Sequence, residues 1–301
     1  MTTIAARLQA VRNRIDAAAA AAGRLPSDIR LIAVSKTFPP AAIAEAYAAG
    51  QAAFGENYLQ EAVGKIAALS DLRLEWHVAN GQRNGEQREG DVRPSAGVAS
   101  PRGPLLRPLE WHVASPHGEN FEPRSDMRPS DGVASPEGPL LRPLEWHHIG
   151  PIQSNKTRPI AENFDWVHGI DRAKIAERLS ASRPDNKLPL QVCIQVNVSG
   201  EASKSGVAPD AVFGLAQTIM RLPRLRLRGL MAIPEPTPDT VLQRSRLRML
   251  REIRDDFLRR GVALDTLSMG MSDDLEAAIA EGATLVRVGR AIFGERGAGA
   301  G

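Results

Sequence analysis

The fold class that the sequence predicts is a single (β/α)8 barrel, closed by eight parallel strands and interrupted by a repetitive insert before the third. Three observations carry this expectation. Eight short apolar runs alternate with segments of helical period, and strands alternating with helices imply parallel pairing through crossover connections. Eight such units suffice to close a barrel, with a doubly wound open sheet as the runner-up. The phrase Leu-Glu-Trp-His begins at Leu74, Leu109 and Leu144, at a constant interval of 35 residues.

In order along the chain, the N-terminal segment places Ile4, Leu8, Val11 and Ile15 at helical spacing, with arginines interspersed among them. It reads as an amphipathic helix and lacks the basic-then-apolar layout of a signal peptide. "LIAVSK" is the first strand, "PAAIAEAYAAG" its helix, "AAFGENY" the second strand and "LQEAVGKIAALS" its helix. The insert follows. Its two units, "VRPSAGVASPRGPLLRP" and "MRPSDGVASPEGPLLRP" with their flanks, are near copies dense in Pro, Gly, Arg, Glu and Ser. A repeat of this period prompts a search for a solenoid, whose units each carry an apolar face for stacking. These units have no helical or alternating period, and their composition buries too little apolar area to offset the entropy of ordering it. The expected organisation is therefore a barrel from 1–73 and 144–296, a disordered insert at 74–143 and a floppy tail at 297–301.

The third copy, "LEWHHIG", is expected to supply the third strand because it alone runs into "IGPIQSNK", with the first copy, whose first four letters are identical, as the alternative. The strands "DWVHGID", "LPLQVCIQVNVS", "LRGLMAI", "TLSMG" and "LVRVG" follow. Between them lie "DRAKIAERLSAS", "PDAVFGLAQTIMRLP", "TVLQRSRLRMLREIRDDFLRRG" and "MSDDLEAAIAEG" as helices, and "SNKTRPIAENF" precedes the fourth strand.

Composition narrows the function. The 301 residues hold one cysteine, Cys193, within an apolar run. No internal disulfide can form, and a buried inert thiol in a reducing compartment is the natural reading. No run has the apolar length to span a bilayer. A formal charge of +3 spread over both signs offers no basic stripe, so neither nucleic acid nor membrane is an expected partner. The six histidines show no metal-ligand spacing, and no metal is expected. A cytoplasmic location follows.

Barrels of this class carry their chemistry where strands end, on the face built by strand-to-helix loops. Lys36 closes the first strand, where an apolar wall would desolvate its amine and free a lone pair to attack a carbonyl; a solvated surface lysine is the plainer alternative. "LSMGMSDDLEAAIAEG" turns at Gly270, with Ser272 as the expected N-cap and acidic residues in the first helical turn, an arrangement that suits a phosphate or simply a well-capped helix. Gly289, after the eighth strand, permits close backbone approach. Phosphates in such barrels sit between the loops after the seventh and eighth strands, and these two signals occupy that pair. Arg287 points inward to a ligand or outward over a helix, and alternation alone leaves both open. Asn57, ending the second strand, either meets a ring substituent or starts the next helix. Lys204, in "GEASKSG", lacks the second glycine of a P-loop and reads as a loop charge. An amine for an aldehyde, two loops for a phosphate and a basic group between them describe pyridoxal 5'-phosphate, although an aldolase acting on sugar phosphates would use the same parts.

"LIAVSKT", "FGENYLQEA", "WHHIGPIQSNK", "NVSGEASKSG", "LRGLMAI", "LSMGMSDDLEAAI" and "VRVGRAIFG" resemble, in order and over nearly all of the non-inserted chain, the pyridoxal phosphate homeostasis protein family. The resemblance implies a barrel like the N-terminal domain of alanine racemase, fold type III among pyridoxal phosphate proteins, with the cofactor as a Schiff base on Lys36. It implies that Ser272 and the backbone of Met271, Gly289 and Arg290 hold the phosphate. Arg287 would lie near the pyridine nitrogen, and Asn57 and His148 would line the pocket. It also implies a monomeric carrier or buffer with apo-enzymes as recipients of the cofactor, rather than an enzyme. The insert is foreign to the family pattern.

Three other functions use the same parts. A single-domain racemase or lyase needs a base on each face of the substrate carbon, and the only tyrosines are Tyr47 and Tyr58. A Schiff-base aldolase would work without the cofactor. A scaffold would use the repeats to recruit a partner.

Overall fold

The computed structural model of the chain describes residues 2–72, 143–200 and 205–295. The first two Leu-Glu-Trp-His copies, the insert apart from Pro143, Lys204 and the tail at 297–301 lie outside the described residues. The chain divides into one compact unit of Met1–Asn80 with Leu141–Gly301 and a second of Gly81–Leu140. The second unit also lies outside the described residues.

Eight strands form in chain order: β1 (Arg30–Val34), β2 (Ala53–Glu56), β3 (Glu145–His148), β4 (Trp166–Ile170), β5 (Leu190–Gln195), β6 (Leu225–Met231), β7 (Thr266–Ser268) and β8 (Leu285–Val288). Each pairs parallel with the next and β8 pairs with β1, closing the barrel. The third Leu-Glu-Trp-His copy supplies β3, in register with β2 through Ala53 opposite Glu145 and Gly55 opposite His147. The expected fold is the one observed, and the open sheet is excluded by closure.

The helices are α1 (Ile4–Ala21), α2 (Pro40–Ala48), α3 (Leu59–Ala68), α4 (Thr157–Asn163), α5 (Ala173–Ser182), α6 (Val212–Met220), α7 (Thr240–Arg259), α8 (Leu275–Ala280) and α9 (Arg290–Phe293). Helix α1 starts where Thr3 caps it, its hydroxyl accepting from the Ala6 N–H at 3.2 Å. Its buried stripe of Ile4, Leu8, Val11, Ile15, Ala18 and Ala19 keeps the helical spacing read from sequence. Arg7 within it and Arg24 just beyond it then tie this segment to α9 and α8 by donating to the carbonyls of Ile292 and Ile279 at 2.7 and 2.8 Å.

Strand alternation sorts side chains into two layers. Leu31, Ala33, Phe54, Trp146, Val167, Val192, Leu230, Leu267, Val286 and Val288 belong to the large cluster shared with the helices. Ile32, Ala53, Trp166, Cys193, Met231 and Leu285 form a separate cluster inside the barrel. Arg228 sits with them, stacked over Trp166 at 5.0 Å and bonded to Asp265 and Gln191. Cys193 is fully buried, and its thiol is pushed up to about 12 chiefly by burial, which keeps it protonated and inert.

Candidate functional site

The strand ends place Lys36, Asn57, Met271, Ser272, Arg287, Gly289 and Arg290 around one cavity of about 720 Å³, with Val34, Ile149, Ile233, Asp273 and Glu295 completing the wall. All the sequence-predicted site residues meet there except His148. That histidine shares the outward parity of Trp146, and its ring packs edge-on against Phe164 at 5.2 Å. Burial pushes it down to about 4, and its Nδ1 has no hydrogen-bond partner. It is a neutral ring in the layer between barrel and helices. The correction follows from period two: at the end of β3 it is His147 and Ile149 that face the interior, not His148 between them.

Arg287 points inward. Its Nη1 donates to Ser268 Oγ at 2.6 Å and its Nη2 to the Ala232 carbonyl at 2.9 Å. Burial pushes this guanidinium down to about 10, opposed by the nearby charge of Asp274, so it stays cationic at neutral pH. The neighbouring strand, β1, ends at Val34, and Lys36 follows two residues on.

The loop bearing Lys36 is gripped from behind by residues that the sequence reading did not single out. Ser35 Oγ donates to Glu56 Oε1 at 2.6 Å, and Lys65 Nζ donates to the Ser35 carbonyl at 2.7 Å and to Glu56 Oε1 at 2.8 Å. Glu61, one helical turn before Lys65, accepts from the Thr37 N–H and pairs with Lys65. Thr37 has a φ of 70°, an unfavourable value for a β-branched residue that surrounding contacts must sustain at a cost of about 1–3 kcal/mol. The available signal was the pair Glu61 and Lys65 at i and i+4, directly after the second strand's Glu56.

Asn57 is set by a contact with the next loop. A Cβ on Gly150 would lie 2.5 Å from the Asn57 carbonyl oxygen, so only glycine lets these two backbones meet. Asn57 Oδ1 is buried without a hydrogen-bond partner. On the other flank of β1, a Cβ on Gly289 would lie 3.0 Å from the Val34 carbonyl, so glycine lets the start of α9 pack tight against β1.

The loop after β7 departs from expectation. Helix α8 begins at Leu275, with Asp274 rather than Ser272 at its N-cap. Ser272 and Asp273 sit in a turn at the cavity, and the Met271 N–H is engaged by Asp274 Oδ1 at 2.6 Å. Met271 lines the cavity, but its amide donates inward to this turn. The correction is physical: a short acidic side chain three residues on closes the loop upon itself before the helix starts. Among the described residues, no three His, Cys, Asp or Glu side chains gather as a metal site, and no helix is long and apolar enough to cross a membrane.

Fold and cavity together define a (β/α)8 barrel with a cavity on the strand-end rim, where an amine and a buried guanidinium line one space. The chain belongs to the alanine racemase N-terminal domain family, whose model matches residues 6–297, and within it groups with the pyridoxal phosphate homeostasis proteins. It is 48% identical to the Pyridoxal phosphate homeostasis protein of Pseudomonas aeruginosa, over 100% of this chain and 99% of the relative. It is 43% identical to the protein of that name from Vibrio cholerae, over 98% of each chain. Among solved structures, PipY of Synechococcus elongatus with PLP bound is similar at a TM-score of 0.65 and 29% identity, over 97% of this chain and 100% of that one.

Proposed function

We propose that this protein binds pyridoxal 5'-phosphate in the rim cavity and serves intracellular homeostasis of that cofactor, as a carrier or buffer that affects amino-acid balance. The convergence of Lys36 and Arg287 on one cavity is the observation that carries this reading. The residues present fit the cofactor in three respects. Lys36 supplies an amine, the unpartnered Asn57 Oδ1 awaits a donor, and Gly289 and Arg290 line the cavity at the start of α9, where the first amides of a helix have no intrahelical acceptors. The cavity volume suits a small cofactor. Relatives bearing the homeostasis name, and a PLP-bound neighbour, support the assignment.

When bound, the cofactor supplies an aldehyde that condenses with amines and a conjugated ring that withdraws electrons. The chain's own residues orient it. Lys36 Nζ is the covalent attachment point, and Ser272 with the amides of Gly289 and Arg290 holds the phosphate. Arg287 presents a permanent cation toward the ring nitrogen. A cation there opposes protonation of that nitrogen, and so weakens the electron withdrawal that racemases and lyases need.

Support for a carrier over an enzyme comes from the tyrosines. Tyr47 is buried in the helix-side layer and Tyr58 stands exposed at the start of α3, and neither lines the cavity. A second base on the far face of a substrate carbon is therefore not furnished by tyrosine among the described residues. The reading extends to a monomer in the cytoplasm with apo-enzymes as recipients.

The test is a visible absorption spectrum of the purified protein with pyridoxal phosphate, followed by borohydride reduction and peptide mapping. An absorption band with the reduced label on Lys36, both lost in Lys36→Ala, is the expected result. A label scattered over surface lysines would overturn it. Turnover of D- or L-alanine, lost in the same variant, would favour the racemase instead.

A further inference from the structure

Beneath the cavity, a line of polar side chains runs down the barrel interior from Arg287. Arg287 Nη1 lies 2.6 Å from Ser268 Oγ, Ser268 Oγ lies 2.8 Å from His168 Nδ1, and His168 Nε2 lies 2.9 Å from His147 Nδ1. His147 Nε2 then approaches Glu145 Oε1 to 2.6 Å, and Arg30 meets that carboxylate at 2.9 Å. Every member between Arg287 and Glu145 is buried, and the His147 ring is stacked on Trp166 at 5.4 Å and 18°, which fixes its plane. Arg30 also lines a second cavity of about 260 Å³ with Arg12, Asp16 and Gln51. The line thus joins the functional rim to the other end of the barrel.

Arg287 is a pure donor, so the Ser268 oxygen accepts from it and keeps its hydroxyl hydrogen and a remaining lone pair for His168 Nδ1. Burial drives His168 well below its usual range, so this ring is neutral.

We propose that Ser268, held in turn by His168 and His147, positions Arg287. By supplying a fixed acceptor, Ser268 aims the guanidinium into the cavity, so Ser268 and His168 are positioning residues for whatever ring binds there. This rests on the pyridoxal phosphate reading for the identity of that ring, while the hydrogen-bonded line stands on the protein alone.

Two measurements separate them. In cofactor-free protein, Ser268→Ala should shift the His168 ring nitrogens in long-range proton–nitrogen correlation spectra, because Ser268 Oγ is bonded to His168 Nδ1. Unchanged His168 nitrogens overturn the line. In protein loaded with pyridoxal phosphate, Ser268→Ala should shift the bound absorption maximum and weaken cofactor binding about tenfold, the effect of losing one hydrogen bond to a charged group. Ser268→Thr, which keeps the hydroxyl, should restore both. A Ser268→Ala protein with unchanged maximum and affinity overturns the positioning role. Absence of any bound band in the wild type would remove the cofactor reading instead, and the His168 spectra would still decide the line.

Discussion

At the scale of single residues, the site turns on which way a side chain faces. Alternation left Arg287 open between two faces, and burial in the barrel with Ser268 and Ala232 as acceptors resolves it inward. The same alternation sends His148 outward and His147 inward, so that a histidine is present at the expected place in sequence but one position off in space. Glu145 shows what such inward charges do for stability. Burial raises its carboxyl, but His147 and Arg30 outweigh that and hold it at about 2 against a usual 4.5. A carboxyl depressed on folding stabilises the native state above its unfolded value, and that contribution disappears as pH falls from about 4.5 towards 2. The shift corresponds to roughly 3 kcal/mol. Urea denaturation should therefore find Glu145→Gln less stable than wild type at pH 7 by about that amount, with the two curves converging near pH 2. A constant gap across that range would show that the carboxylate charge is not responsible.

Between residue and barrel, elements hold the site from behind. The second strand and α3 enclose Glu56, Lys65 and Glu61, which together fix Ser35 and Thr37 on either side of Lys36. Glu56 is fully buried, and burial raises its carboxyl while Lys65 and Ser35 pull it back. Removal of the amine would strand that carboxylate. Lys65→Met should lower stability by about 3–5 kcal/mol, as removing one member of a buried ion pair does, and loosen the Lys36 loop. Calorimetry together with cofactor affinity checks this, and an unaltered melting temperature would refute it. This brace was half legible: the i,i+4 spacing is in the sequence, but its burial is not. The loop after β7 was legible in the same partial sense. Turn residues and an acidic cluster were visible, whereas the closure of Asp274 onto the Met271 amide, which moves the cap from Ser272, depends on local geometry.

For the molecule as a whole, the chain leaves the described residues after α3 and re-enters them just before β3, in a helix-to-strand connection, whereas barrels of this class carry their chemistry on the strand-to-helix loops. The rim residues all come from other loops. Deletion of 74–143, which joins 73 to 144, should therefore leave the absorption band and the Lys36 label in place and change cofactor affinity less than about twofold, because it removes none of the residues that line the cavity. Loss of the band in the deletion protein would make the repeats part of the site. Loss of a protein partner with the band intact would favour the scaffold role for them.

The sequence by itself determined the barrel, the strand order and the rim positions of Lys36, Asn57, Ser272, Arg287, Gly289 and Arg290, while strand register settled which Leu-Glu-Trp-His copy supplies β3. It could do so because apolar period and turn residues are local properties, and because a barrel of parallel strands gathers every strand end on one face. Tertiary structure alone decided the inward facing of Arg287, the exclusion of His148, the brace behind Lys36 and the polar line from Arg287 to Glu145. Those depend on strand register and on pairs such as His168 with Ser268, a hundred residues apart. Closure of the ring, and not any local preference, brings such partners within hydrogen-bond reach.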